Sequence, residues 1–140
     1  MTDRAALRAH LARARTIAVV GLSSKPGRAS HEVAGYLQQA GYRIVPVHPS
    51  RHPVLGETTY ATLPEAAAAI GVPIDIVDVF RRGETIPELV PDLLAVRPAL
   101  VVLQVGITHP AAEATLRAAG IDVVSDRCLM VDHARLLGDG

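Results

Sequence analysis

The sequence predicts an open, doubly wound α/β sandwich: a five-stranded, mainly parallel sheet with helices on both faces. Three observations predict it. Apolar runs rich in β-branched residues alternate with segments of helical periodicity along the whole chain. The runs 16–21, 74–80 and 99–105 are almost uninterrupted, as strands buried on both faces must be. No repeat, linker or composition shift divides the 140 residues, so residues 1–140 read as one domain. Right-handed crossovers leave few strand orders, of which 3-2-1-4-5 is preferred, with a ligand crevice beside strand one.

Each element has a local reason. Residues 3–15 read as a leading helix, with Leu7 and Leu11 at helical spacing. Residues 16–21 are strand one. Residues 30–40 are a helix with Ser30 as N-cap and Gly41 just past its end. Residues 42–47 are strand two, broken by Pro46 and Pro49, and residues 48–60 an irregular loop turning at Gly56. Thr62-Leu63-Pro64-Glu65 joins a capping box to a first-turn proline and starts a helix running to about Ile70. Residues 74–80 are strand three. Residues 84–96 are helical, with Pro87 and Pro91 confined to the first turn or bending it. Residues 99–105 are strand four, 110–119 a helix, 122–125 strand five and 129–137 a closing helix.

Composition narrows the function classes. Lys+Arg and Asp+Glu are both 14, so no global charge draws the chain to nucleic acid or to a membrane surface. Lys25 is the single lysine, and the remaining cations are arginines, which suit forked contacts to phosphate or carboxylate. One cysteine forbids an internal disulfide and points to a reducing cytoplasm. The polar N-terminus has no signal-peptide character, and no apolar stretch of spanning length is free of charge, Gly or Pro. The six histidines show no metal-ligand spacing.

Ligands of such sheets gather at the carboxyl ends of the strands. The end of strand one is the most informative: Val20-Gly21-Leu22-Ser23-Ser24-Lys25-Pro26-Gly27-Arg28-Ala29-Ser30. A strand closing on glycine, a small-residue loop and a helix start can deliver phosphate to free amides. Gly21 would admit close backbone approach. Ser24, Lys25, Arg28 and Ser30 would meet phosphates. The turn is expected to stand open, its amides unclaimed by the protein's own side chains. Arg51 and His52 after strand two, and Arg81 and Arg82 after strand three, add positive character to the same rim.

Other candidates carry less. A nicotinamide site needs an acidic residue after strand two, where Val47-His48-Pro49-Ser50-Arg51 stands, and Ser23 replaces the second glycine of the dinucleotide signature. An NADP-dependent oxidoreductase stays open through the positive residues there. No Walker A loop is present. Cys128 reads as a small half-buried thiol, with a reactive thiol beside Arg127 as the alternative. His109 could face the ligand or cap a helix. Asp75 and Asp78 form no acid–base pair, and burial at the sheet edge or solvent exposure accounts for them. Phe80 could stack on a base or belong to the core.

Taken together these motifs resemble the small CoA-binding proteins of the succinyl-CoA-synthetase-like CoA-binding domain family. The likeness runs from about Thr16 to Leu137. It is carried by Val20-Gly21-Leu22-Ser23, Pro26-Gly27-Arg28-Ala29-Ser30, Gly41-Tyr42-Arg43-Ile44-Val45-Pro46-Val47-His48-Pro49, Asp78-Val79-Phe80-Arg81, Gln104-Val105-Gly106 and the segment 119–128. The resemblance implies a Rossmann-like domain that binds coenzyme A or an acyl-CoA across the strand ends without chemistry of its own. It implies the diphosphate at Ser23, Ser24, Lys25, Arg28 and Ser30. The adenosine would lie near Val47, Pro49 and Arg51, with Phe80 and Arg81 opposite, and the pantetheine arm along Gln104, Gly106 and Ile107. Arg51 or Lys25 would take the ribose 3′-phosphate. Two positions depart from the family pattern: His48 stands where Asn is common, and Leu103 where an aromatic residue is common. A trimmed acyl-CoA ligase subunit and an interaction domain with a vestigial pocket are the other readings.

Overall fold

The computed structural model describes residues 4–138. Five strands form one parallel sheet: β1 (Thr16–Val20), β2 (Arg43–Val47), β3 (Ile76–Val79), β4 (Leu100–Leu103) and β5 (Asp122–Val124). Among the described residues six α-helices surround it: α1 (Arg4–Arg13), α2 (Ala29–Gln39), α3 (Leu63–Ile70), α4 (Ile86–Val96), α5 (Pro110–Ala118) and α6 (Leu129–Leu136). The expected α/β class, strand count and parallel pairing are present. Strand and helix bounds lie within one or two residues of expectation at most ends, and the start expected at Asp3 lies outside the described residues.

The strand order is β2-β1-β3-β4-β5. β3 therefore pairs with β1 on the side away from β2, rather than lying outside β2 as in an order 3-2-1-4-5. Pro46 supplies the reason. Proline lacks the N–H that an inner strand must donate on both sides, so it belongs on an edge strand. The Pro46 carbonyl faces outward, away from β1, and accepts only from Tyr60 N at 3.0 Å. The missing donor thus falls on the free edge. The crevice expected beside strand one survives, because the order reverses between β1 and β3.

Alternation along the strands divides the core into two layers. Ala18, Val20, Val77, Val79, Val101 and Leu103 face α3, α4 and α5, where Leu63, Ile86, Leu93 and Leu116 are fully buried. Ile17, Val19, Ile76, Leu100 and Val102 face α1, α2 and α6, meeting Leu7, Leu11, Leu37 and Leu129. Truncating any of these leucines to alanine is the kind of change that costs about 2–5 kcal/mol. Among the described residues, no helix is long and apolar enough to cross a membrane.

Two helix starts follow their sequence signals closely. Thr62 Oγ1 accepts from Glu65 N at 3.3 Å, and Glu65 Oε2 accepts from Ala61 N at 3.0 Å. His109 caps α5: its Nδ1 accepts from Ala112 N at 3.1 Å, while Glu113 Oε2 accepts from His109 N at 2.8 Å. Capping is therefore the role His109 takes. α4 carries Pro87 in its first turn and Pro91 inside the helix.

Candidate functional site

The carboxyl ends of β3 and β4, with α2 and the start of α6, enclose a cleft of about 700 Å³. Ala29 and Val33 of α2 form one wall, and Cys128 and Met130 at the start of α6 extend it. Phe80, Arg81, Arg82, Gly83 and Glu84 follow β3 and form the second wall; Gln104, Val105, Gly106 and Ile107 follow β4 and form the third. The volume lies in the range of small-molecule sites, and the lining is mostly apolar with a few polar groups, as such sites require. Phe80 packs on the core layer and also lines the cleft.

Gly21 holds this end of the sheet together. Its φ is +84°, and a Cβ there would stand 2.3 Å from the Phe80 carbonyl oxygen. The glycine lets the two strand ends approach closely. Beyond it the chain enters the exposed turn 24–29. Openness is as expected, but the amides are not all free. Ser23 N donates to Ser30 Oγ at 3.0 Å, Lys25 N to Ser23 Oγ at 3.1 Å, and Gly27 N to Glu32 Oε1 at 3.2 Å. The loop is braced by its own side chains. Ser30 is buried inside α2 rather than serving as its N-cap, and its hydroxyl is used on Ser23 N.

What remains open is the helix end itself. The N-cap of α2 is Arg28, whose side chain cannot accept a hydrogen bond and makes no cap bond. The amides of Ala29, Ser30 and His31 have no acceptor among the described residues. Uncapped first-turn amides attract an anion, and here the cap residue itself is an arginine, with Lys25 exposed on the preceding turn.

A buried polar pair underlies the cleft wall. Asp78, on the central strand β3, is fully buried, and its Oδ1 accepts from Gln104 Nε2 at 2.8 Å. Among the described residues its Oδ2 has no hydrogen-bond partner. Burial pushes the carboxyl up to about 7, against the opposing pull of the Gln104 hydrogen bond. Neither the sheet edge nor solvent accounts for it, contrary to expectation. The bond engages the amide nitrogen of Gln104, a residue of the cleft lining, and its Oε1 has no hydrogen-bond partner among the described residues.

Of the residues expected at a site, Phe80, Arg81, Gln104, Gly106 and Ile107 meet in the cleft. Ser24, Lys25 and Arg28 stand on the exposed turn leading to its α2 wall. Ser23 and Ser30 shape that turn. Val47 is buried in the core layer beneath α3, and Pro49 is exposed beyond the end of β2. Arg51 turns away toward α3, where it pairs with Glu65 at 2.8 Å and holds that carboxylate below its usual range. Asp75 braces the opposite end of the sheet, accepting from Arg15 N and Thr16 N at 2.9 and 3.0 Å. Cys128 is half-buried, as expected of a small packed thiol, and also lines the cleft. His133 is bonded through Nδ1 to Tyr36 Oη at 2.9 Å and does not line the cleft that Cys128 reaches. Ala29, Val33, Glu84 and Met130 are wall residues that the sequence reading missed.

Comparison with known proteins agrees with this architecture. A family described as CoA binding domain matches residues 15–134. This chain belongs to that family. An uncharacterized Bacillus subtilis protein, YneT, is 39% identical over 132 residues, covering 94% of this chain and 95% of that one. A Thermus thermophilus protein solved as cell-free ID.343 is 45% identical, with a TM-score of 0.90 and coverage of 96% and 99%. A hypothetical protein from Pyrococcus horikoshii is 32% identical, with a TM-score of 0.88 and coverage of 97% and 93%. The CoA-binding domain thus spans nearly the whole chain, and its strand ends carry the cleft just described.

Proposed function

We propose that this CoA-binding domain holds coenzyme A or an acyl-CoA in the cleft at the ends of β3 and β4, beside α2, as a binding module without catalysis of its own. The observation that carries the reading is the uncapped N-terminus of α2, which opens beside an apolar cleft. The diphosphate lies on the amides of Ala29, Ser30 and His31, with Arg28 and Lys25 supplying charge. Lys25 takes the ribose 3′-phosphate, because Arg51 is already paired with Glu65. The adenosine sits toward the β2 end near Pro49, with Arg81 opposite. The pantetheine arm runs between Val33, Phe80, Ile107 and Met130, and an amide N–H of the arm donates to Gln104 Oε1. Asp78 acts through Gln104, fixing which end of that amide meets the ligand. The reducing cytoplasm is the setting this reading assigns.

Isothermal titration with CoA and NADP in parallel tests the reading. CoA binds, NADP does not, and Arg28→Ala weakens CoA roughly tenfold, the loss of one charge-assisted contact. Because Arg28 is exposed and makes no cap bond, the melting temperature of the variant stays that of the parent. Binding of NADP in place of CoA overturns the assignment.

A further inference from the structure

A second cavity, of about 380 Å³, lies along β5 and shares no lining residue with the CoA cleft. Its polar wall is made of Arg4, Arg117, Arg127 and Arg135, with Asp132 as the opposing carboxylate. In a chain whose formal charges cancel, four guanidiniums on one cavity are a strong local concentration. Leu7, Val124 and Leu136 give the same cavity apolar surface.

Two of the arginines are held in place by the protein. Arg127 forks onto the buried Asp132, with Nε to Oδ2 at 2.9 Å and a terminal nitrogen to Oδ1 at 2.7 Å. Arg117 donates to the Val123 carbonyl at 3.0 Å and lies 3.6 Å from the buried Glu113. Each guanidinium has five N–H donors, so both keep donors to spare after these contacts. Fixed forks lose little freedom when a ligand arrives. Arg4 and Arg135 are exposed, and neither side chain has a hydrogen bond or ion pair among the described residues.

We propose that this cavity is a binding site for a small polycarboxylate. Planar forks match carboxylate oxygens in pairs. The apolar surface favours an anion with a carbon skeleton over a bare inorganic phosphate, because skeleton burial adds to the ionic contacts. The site does not depend on what fills the other cleft.

Titration calorimetry at constant ionic strength tests it, with citrate as probe, inorganic pyrophosphate as comparator and the protein saturated with CoA. Citrate binds saturably at one site per chain, more tightly than pyrophosphate, with CoA bound or absent. Arg135→Glu and Arg4→Glu each weaken citrate by at least roughly tenfold and leave CoA affinity unchanged. The proposal is overturned by absence of saturable citrate binding, by loss of citrate binding on CoA saturation, by pyrophosphate binding as tightly as citrate, or by variants that bind citrate like the parent.

Discussion

The turn after β1 shows how one residue can work against the ligand its neighbours attract. Glu32 places a carboxylate oxygen 3.2 Å from Gly27 N, within the loop that leads to the open amides of α2. Its negative charge in the first helical turn satisfies the helix dipole when no ligand is bound. A phosphate arriving beside it meets that charge. Glu32→Gln keeps an acceptor for Gly27 N and removes the repulsion. CoA affinity should rise several-fold in the variant, by about the 0.3–1 kcal/mol that one charge is worth near a helix end, and more so at low salt. Unchanged affinity measured by calorimetry at two ionic strengths would place the phosphates elsewhere. Ser30 teaches the complementary lesson. Its position before a helical run signals a cap, yet the structure uses its hydroxyl on Ser23 N and leaves the cap position to Arg28.

At the scale of elements, α3 is the helix whose signal is most local. Thr62, Pro64 and Glu65 perform there what their spacing announces. Thr62→Ala should therefore cost about 1 kcal/mol in urea-induced unfolding, with the m-value unchanged. A loss below a few tenths would show that Pro64 and Glu65 suffice to start the helix. Local signals of this kind made most element positions legible: continuous apolar runs for β1, β3 and β4, Gly41 after α2, Pro110 at the start of α5. Strand order was less legible, because it is decided between strands distant in sequence. Pro46 held the information, since an edge strand tolerates what an inner strand does not, but no nearest-neighbour rule reads it. The cleft was half legible for the same reason. Phe80, Arg81, Gln104, Gly106 and Ile107 follow strand ends, where ligands are sought. Val33, Cys128 and Met130 reach the cleft only because α2 and α6 pack side by side on one face, and the signal that could have found them is an apolar residue in the first turns of helices that follow strands.

For the molecule as a whole, the buried carboxyl of Asp78 ties stability to pH, and the sign follows from proton counts. In the unfolded chain this group has the ordinary aspartate value near 3.9, whereas burial raises it to about 7 in the fold. Between those values the folded protein binds a proton that the unfolded chain has released, so this group's contribution falls as pH rises from about 4 to 7 and stays low above that. His133 works the other way. Burial lowers its folded value, so its contribution grows as pH rises toward the ordinary histidine value near 6.5. The two slopes oppose each other in the parent, and only a difference between proteins isolates one of them. Asp78→Asn provides it, because an asparagine Oδ1 can still accept from Gln104 while the side chain no longer titrates. Its buried N–H₂ group carries a penalty of about 1–3 kcal/mol that is the same at every pH. The stability of the variant minus that of the parent should therefore climb between about pH 5 and pH 8, by an amount on the order of 3 kcal/mol at 1.36 kcal/mol per pH unit. Melting temperatures of the two proteins, measured without CoA across that range, give the difference directly. Parallel curves would mean that Asp78 ionises in the fold as easily as in the unfolded chain, and the cleft wall would then rest on a charged carboxylate rather than a protonated one.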